Sequence, residues 1–215
     1  MREEYCQFAL IHEGSSDQGL TVALETLLAE AGFDIVRGEA HLKRGTVAES
    51  LATLATNREF FNVVFVHRDS DRAGREARVA EVTSAASSVT WAVGDEPRVV
   101  PVIPITMTEA WLLLDEAAIR DVCGNSRGTA ALGLPKPHEV EGVSDPKKLL
   151  FEAMRKAGPQ GGRRRGNERD LNRWRARLLE RLDVHGPVRN LSGWKALEED
   201  IAKVWEAHRA GRQGG

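Results

Sequence analysis

Carboxylates recur at three separated points of the chain, each shortly after an apolar run. The set consists of Glu13, Asp17, Asp69, Asp71 and Glu109. Carboxylate oxygens are the ligands that Mg²⁺ and Mn²⁺ prefer. Two such ions about 3.5–4 Å apart can activate a water and stabilise the leaving oxygen of a phosphodiester. The pattern therefore predicts a divalent-metal site that cuts or transfers phosphodiesters.

Asp69 and Asp71 stand two residues apart in an expected extended turn, so their side chains project to the same side and can share a cation. An Asp-x-Asp pair alone is a weak signal, because an acidic turn can simply cap the helix expected from about Ala73. The apolar residues 62–66 directly before the pair favour the metal-ligand role.

Glu13 and Asp17 lie on either side of Gly14-Ser15-Ser16, where glycine allows a tight exit from the first strand. Asp17 has a simpler alternative, because it can serve as the N-cap of the next helix. Glu109 opens an apolar helix, where a carboxylate also interacts favourably with the helix dipole.

Positive charge concentrates in the later part of the chain. Residues 151–215 hold 15 Lys and Arg against 9 Asp and Glu, whereas residues 1–150 hold 15 against 23. An acidic catalytic part with a basic extension is expected from this asymmetry, and the basic extension suits a polyanionic partner.

Two basic segments are candidates for phosphate contacts. Arg163, Arg164 and Arg165 form a run that is expected to contact nucleic acid, with binding that weakens as salt rises. A solubilising loop is the simpler alternative for this run. Lys147 or Lys148 can stabilise a negatively charged transition state, although a solvated helix start explains either one as well.

Alternating strand and helix signals indicate an α/β fold. Apolar runs predict strands at residues 6–11, 33–36, 62–66, 89–93 and 99–105. Helical spacing of apolar residues predicts helices near residues 20–31, 46–57, 73–86, 110–114, 147–157, 168–183 and 192–209. Strands separated by helices imply a mainly parallel, Rossmann-like sheet, whose ligands bind beyond the carboxyl ends of the strands.

With 215 residues, of which 41% are hydrophobic, the chain can bury a core. Residues 1–124 are predicted to form the catalytic core. Residues 125–215 are predicted to form a Gly/Pro-rich connection, a basic loop and C-terminal helices packed on that core. The two cysteines, Cys6 and Cys123, form no CxxC pair, which argues against zinc and disulfides. No secretory signal or membrane-spanning run is evident, so we expect a cytoplasmic protein without a membrane partner.

Four segments together resemble the toprim domain of topoisomerases, bacterial primases and recombination proteins. They are residues 9–17 (ALIHEGSSD), 64–71 (VFVHRDSD), 108–115 (TEAWLLLD) and 145–148 (DPKK). The pattern is most similar to the overcoming-lysogenization-defect nucleases and to small stand-alone toprim-like proteins of bacteria, some of which are linked to phage defence. The resemblance covers roughly residues 6–150.

This resemblance implies a toprim-like sheet and an Mg²⁺- or Mn²⁺-dependent nuclease. It implies that Glu13 is a metal ligand or general acid/base and Lys147 a phosphate-facing cation. The remaining metal ligands would be Asp17, Asp69, Asp71 and Glu109. No GxxxxGK[ST] segment occurs, so any ATPase would be a separate chain. The single tyrosine, Tyr5, argues against a self-contained topoisomerase.

The same residues are also compatible with two other functions. One is a non-catalytic metal-binding or regulatory module that acts through a partner protein, with oligomer formation possible. The other is phosphoryl transfer on a small nucleotide, which would need the metal site but not the basic loop. Deleting residues 160–166 separates the latter from a nuclease, since only polymer binding should suffer strongly.

Overall fold

The computed structural model describes residues 3–57, 60–92, 96–158 and 167–213. Within them, four strands form one parallel sheet in the order β2-β1-β3-β4. The strands are β1 (Tyr5–His12), β2 (Ile35–Leu42), β3 (Val63–His67) and β4 (Arg98–Val102). The predicted Rossmann-like, mainly parallel α/β fold is thereby confirmed.

Helices connect the strands and continue after β4. They are α1 (Leu20–Ala31), α2 (Val47–Thr56), α3 (Arg75–Ser88), α4 (Thr108–Leu112), α5 (Glu116–Val122), α6 (Pro146–Ala157), α7 (Glu168–Leu179) and α8 (Ser192–Gln213). Local chemistry fixes several starts. Thr46 and Glu49 form a capping box at α2, and Asn167 caps α7 by accepting from the Asp170 N–H.

Alternate residues of each strand face opposite sides of the sheet and enter two separate cores. On one side, Phe8 and Phe65 meet edge to face, with ring centroids 5.3 Å apart, among residues from α1 and α4 to α8. On the other side, Ile11 and Val66 pack against α2 and α3. The sheet is therefore covered on both faces, which explains the continuous apolar runs of β1 and β3.

The C-terminal helices belong to the larger of these two cores. Trp194 of α8 packs edge to face on Trp111 of α4, with ring centroids 5.0 Å apart. Trp205 of α8 meets Phe33 in the same way at 4.9 Å. No helix in the described ranges is long and apolar enough to cross a membrane.

Two strand predictions need correction. The second strand runs from Ile35 to Leu42, well beyond the predicted 33–36, because an edge strand with exposed faces carries polar residues and lacks a continuous apolar run. The strand predicted at residues 89–93 is wrong for the described residues 89–92, which pair with no strand. Val89 and Trp91 instead pack on the core beneath α2 and α3, which accounts for their apolar character.

The strand order reverses between β1 and β3. The chain leaves β1 through α1 to β2 on one side, and then crosses through α2 to β3 on the other side. Ligands of doubly wound sheets bind beyond the carboxyl ends of the strands at such a reversal. His12 and His67 end these two strands, so the loops that follow them border the expected ligand position.

Burial raises the pKa of both Cys6 and Cys123 from 9.0 to about 12. The raised pKa leaves far less thiolate in the folded chain than in the unfolded chain near pH 8. We therefore expect neither thiol to react with a disulfide reagent in the native protein, and both to react in urea. Fast reaction of the native protein would contradict the burial of both thiols.

Candidate functional site

The loop after β1 folds tightly around the Asp17 carboxylate. Asp17 Oδ2 accepts from the Gly14 N–H at 2.9 Å, and the Asp17 N–H donates to the Gly14 carbonyl at 2.8 Å. A Cβ at position 14 would lie 2.9 Å from Asp17 Oδ2, so glycine permits this closure. Asp17 is buried and does not cap α1, whose N-cap is Gly19. Its carboxylate instead bonds the Gly14 N–H and the Arg175 side chain.

The loops after β3 and β4 are tied together through Asp69. Asp69 Oδ1 accepts from the Thr108 N–H at 2.9 Å and lies 3.2 Å from the Thr108 hydroxyl. The Asp71 N–H donates to the Thr106 carbonyl at 2.9 Å. Helix α3 begins after Gly74 without a side-chain cap, so neither aspartate caps it. The Asp69 carboxylate is thus fixed at Thr108, which begins α4 and directly precedes Glu109 in the sequence.

Arg175 of α7 joins the loop after β1 to helix α4. Its Nε donates to Glu109 Oε1 at 2.7 Å, and one terminal nitrogen donates to Asp17 Oδ1 at 2.6 Å. The other terminal nitrogen donates to the Ser16 hydroxyl at 2.5 Å. The Arg175 side chain is only 5% exposed. Burial alone would lower the pKa of Arg175, but Glu109 and Asp17 raise it, so the guanidinium is a permanent positive charge.

His67 lies fully buried between Asp17 and Asp69. Its Nε2 is 2.7 Å from the Thr108 hydroxyl oxygen, and its Nδ1 is 3.7 Å from Asp17 Oδ2 without a hydrogen-bond partner. Burial lowers the pKa of His67, but Asp69 and Asp17 raise it, and the net pKa is above its usual 6.5. Burial raises the pKa of Asp69, but His67 and the Thr108 N–H lower it, and the net pKa is below 3.8.

Glu13 and Asp71 lie at the flank of this network and face arginines of their own. Glu13 Oε1 is 3.3 Å from Arg68 Nε and 3.8 Å from Lys43 Nζ. Asp71 Oδ2 is 3.8 Å from a terminal nitrogen of Arg78. The described contacts thus join Asp17, Asp69 and Glu109 into one network and leave the other two predicted carboxylates beside it.

The predicted basic residues lie elsewhere. Lys147 is exposed at the start of α6, with Nζ 5.9 Å from the Phe151 ring centroid, and it forms no ion pair with a described residue. Arg163, Arg164 and Arg165 lie outside the described residues. Their expected contacts with phosphates stay predictions.

Sequence reasoning missed Arg175, because its partners Asp17 and Glu109 are 158 and 66 residues away. A signal did exist. Leu171, Arg175 and Leu178 follow the spacing i, i+4, i+7 of the buried face of α7. A charged residue in an apolar stripe is almost never fully buried unless it is paired, so this position indicated a buried carboxylate partner.

The described donor set does not by itself form a metal site. Within the described ranges, no group of three or more His, Cys, Asp or Glu side chains is arranged to hold a metal ion. Asp69 Oδ2 and Glu109 Oε2 accept no hydrogen bond from a described residue. Neither oxygen is one of the fully buried atoms that lack a partner. Mg²⁺ commonly binds through one or two carboxylates plus water and substrate phosphates.

Comparisons with protein-family models, curated proteins and solved structures give no match for this chain. The resemblance to toprim proteins therefore stays a prediction from the sequence motifs.

Replacing Arg175 by methionine removes the only described positive charge that bonds both Asp17 and Glu109. Breaking a buried ion pair by removing one partner typically costs about 3–5 kcal/mol, because the remaining charges stay buried. We expect Arg175→Met to lower the free energy of unfolding by about this amount in urea denaturation.

Arg173→Met on the same helix is the matched control. Arg173 is 58% exposed on its side chain and pairs with Asp170 alone among the described residues, so the change should cost no more than about 0.5 kcal/mol. Equal costs for the two variants would contradict a special role for the buried guanidinium.

The stability contribution of His67 depends on pH with a defined sign. Because the folded pKa is raised, the contribution is complete below the unfolded value of 6.5 and is lost as pH rises through the folded pKa. The difference in unfolding free energy between wild type and His67→Gln should therefore shrink as pH rises above 6.5. Urea denaturation from about pH 5 to about pH 9 measures it, with the exposed His138→Gln as control. A difference that grows with pH would contradict the raised pKa.

Proposed function

We propose that this chain is a divalent-metal-dependent nuclease that hydrolyses phosphodiester bonds of DNA or RNA. The observation that supports it most is the network of Asp17, Asp69 and Glu109, which follow three parallel strands at the carboxyl edge of the sheet. This edge, at the reversal of strand order, is where doubly wound folds bind ligands. The motif resemblance to toprim nucleases agrees with the same location.

The carboxylates would have different tasks in this function. Mg²⁺ or Mn²⁺ would supply a water of lowered pKa and positive charge for the phosphodiester. Asp69 and Glu109 would hold the ion through their unbonded oxygens. Asp17 would stay bonded to Arg175 and the Gly14 N–H, which fixes the loop after β1.

Glu13 would exchange protons with the reacting groups. Its side chain is 33% exposed and lies beside Arg68, so it can reach a substrate at the rim. An acid/base residue needs access to the proton that it transfers, and Glu13 is more accessible than Asp17. Lys147, on a helix packed against α4, would face the phosphate by analogy with the toprim pattern.

Arginines near the carboxylates support a polyanionic substrate. Arg68, Arg72, Arg75 and Arg78 lie within eleven residues around the loop after β3. Arg78 Nε donates to the Asp69 carbonyl at 3.1 Å, so this basic segment directly borders the site. Phosphate contacts from such residues make binding salt-dependent and largely independent of base sequence.

The wider setting follows from the same resemblance. Two buried free thiols suit the reducing cytoplasm, where we expect the chain to act. A separate ATPase subunit and a role in phage defence are the partner and process that the toprim pattern suggests.

A second candidate is a non-catalytic module whose acidic edge serves structure or partner binding. The favouring observation is that Arg175 already compensates Asp17 and Glu109 within the chain. Buried charges that are paired internally need no further cation to be stable.

Cleavage assays distinguish the two candidates. The full chain is incubated with plasmid, linear DNA and RNA, each with Mg²⁺, Mn²⁺ or a chelator. We expect cleavage only with metal, and Asp69→Asn and Glu109→Gln should each lower it by about 100-fold or more, as loss of a charged group at a reacting centre does. The exposed carboxylates Asp121→Asn and Glu152→Gln are the matched controls.

Cleavage that persists in both site variants would remove the nuclease proposal. Absence of cleavage on every substrate, together with calorimetry that detects no divalent-ion binding, would favour the non-catalytic module.

A further inference from the structure

Strand β2 forms an open edge of the sheet. It runs over eight residues, from Ile35 to Leu42, and among the described strands it pairs only with β1. The edge strand on the other side, β4, has five residues and contains Pro101, which has no N–H to donate to a further strand. Natural sheets protect their edges in this way, because an unpaired strand is a template for another chain. Strand β2 contains no proline, so its edge is open to pairing.

Every second residue of β2 directs its backbone groups to this free edge. The Ile35 N–H donates to the Glu4 carbonyl at 3.1 Å, so the odd-numbered residues of β2 bond toward β1. The N–H and carbonyl groups of the even-numbered residues point the opposite way. The Gly38 N–H agrees with this direction, since it donates to the Glu25 carboxylate of α1 at 3.1 Å. The even-numbered residues on either side of Gly38 receive no such bond from a described side chain.

The charges of β2 fit a second copy of the same strand. Arg37 and Glu39 flank Gly38, and both are exposed. Arg37 forms no ion pair with a described residue, and Glu39 has only His41 Nε2, at 3.9 Å, as a described ion-pair partner. In an antiparallel pair with a two-fold axis at Gly38, Arg37 of each copy lies directly opposite Glu39 of the other. Opposite charges in such cross-strand positions stabilise pairing.

Neighbouring registers of the same pair fit less well. An axis at Arg37 places the two copies of this arginine opposite each other, and an axis at Glu39 does the same for the two glutamates. Like charges directly opposite each other destabilise a strand pair. The sequence Arg37-Gly38-Glu39 therefore favours the register with the axis at the glycine.

Exposed apolar side chains gather around the same edge. Most of the large hydrophobic residues that are exposed in the described part of the chain lie on β2 or on an element that borders it. Ile35 and Leu42 belong to β2, and Tyr5 of β1 is the register partner of Ile35. Val22 of α1 precedes Glu25 by three residues, so it shares the helix face that reaches β2. Exposed apolar residues grouped in this way mark interaction surfaces.

We propose that two copies of this chain form a symmetric dimer through antiparallel pairing of their β2 strands about Gly38. The Gly38 N–H leaves the Glu25 carboxylate and donates to the Gly38 carbonyl of the other copy, so Glu25 competes with the second copy. The two sheets become one continuous sheet. Because the strands of the two copies run in opposite directions, their acidic loops lie at opposite sides of this sheet and stay open. The dimer is therefore independent of the proposed nuclease activity.

Sedimentation equilibrium of the full chain at micromolar concentrations tests the proposal. We expect a mass that approaches twice the 23.7 kDa of one chain. Arg37→Glu should raise the dissociation constant of the dimer about tenfold or more, because it places like charges opposite each other at two symmetric positions. Adding Glu39→Arg to this variant restores opposite charges and should return the constant to near the wild-type value. The control Arg98→Glu, at an exposed position of β4, should leave it unchanged.

Replacing Glu25 by alanine tests the position of the axis. Glu25→Ala frees the Gly38 N–H for the second copy, so the dissociation constant should fall by about threefold or more. A residue that only supported the fold of one copy would not strengthen the dimer when removed. Glu30→Ala on the same helix is the control, because the described ion-pair partner of Glu30 is His185, outside β2.

A wild type that stays monomeric at all concentrations would overturn the inference and leave the proposed nuclease untouched. A dimer that Arg37→Glu does not weaken, or that the double variant does not restore, would also overturn it, because the interface would lie elsewhere. An unchanged constant in Glu25→Ala would exclude the axis at Gly38. Should Arg37→Glu fail to fold, Ala40→Pro decides, since the Ala40 N–H faces the free edge and its loss should abolish only the pairing of two copies.

Discussion

The acidic edge of the sheet, formed by Asp17, Asp69 and Glu109, depends on the hydrogen bonds that the buried guanidinium of Arg175 donates. Three carboxylates that converge beyond parallel strands repel one another, and burial removes the water that would screen them. Arg175 bonds two of them and thereby allows the loop after β1, helix α4 and helix α7 to pack together. Because removing these charges from water is costly, we expect the ion pairs of Arg175 to fix the arrangement of these elements more than they raise net stability.

Hydrogen bonds from Thr108 hold the third carboxylate, Asp69, in place. Thr108 binds Asp69 through both its N–H and its hydroxyl, and the same hydroxyl contacts His67. Because Thr108 begins α4, the position of Asp69 is coupled to the first turn of the helix that carries Glu109. Each carboxylate of the network is thus oriented by an element other than its own, which is how rigid sites keep their geometry.

The sequence predicted the parts of the fold that rest on local pattern. Strands β1 and β3 are continuous apolar runs because helices cover both faces, and their carboxyl ends revealed where the acidic loops would meet. The edge strand β2 was underestimated, since its polar residues face solvent. Residues 89–92 belong to no strand, and Val89 and Trp91 among them pack on the core. A run of apolar residues does not distinguish these two roles.

Only some residues of the site could be predicted from the sequence, because others reach it from remote parts of the chain. Asp17, Asp69 and Glu109 follow strands and could be located from strand ends alone. Arg175 reaches them from a helix that is remote in sequence, and only a non-local packing argument finds it. The separation of Glu13 from the network likewise depends on Arg68 and Lys43, which come from two other loops.

The position of Arg175 late in the chain also bears on biosynthesis. The ribosome makes Asp17 first, and its ion-pair partner Arg175 follows 158 positions later. Contacts of such long sequence separation form late during folding, because closing a long loop is entropically costly. A nascent chain that has only its sheet therefore lacks a finished acidic edge. Until helix α7 has been made and packed, Asp17 and Glu109 lack the positive charge that bonds them in the folded chain.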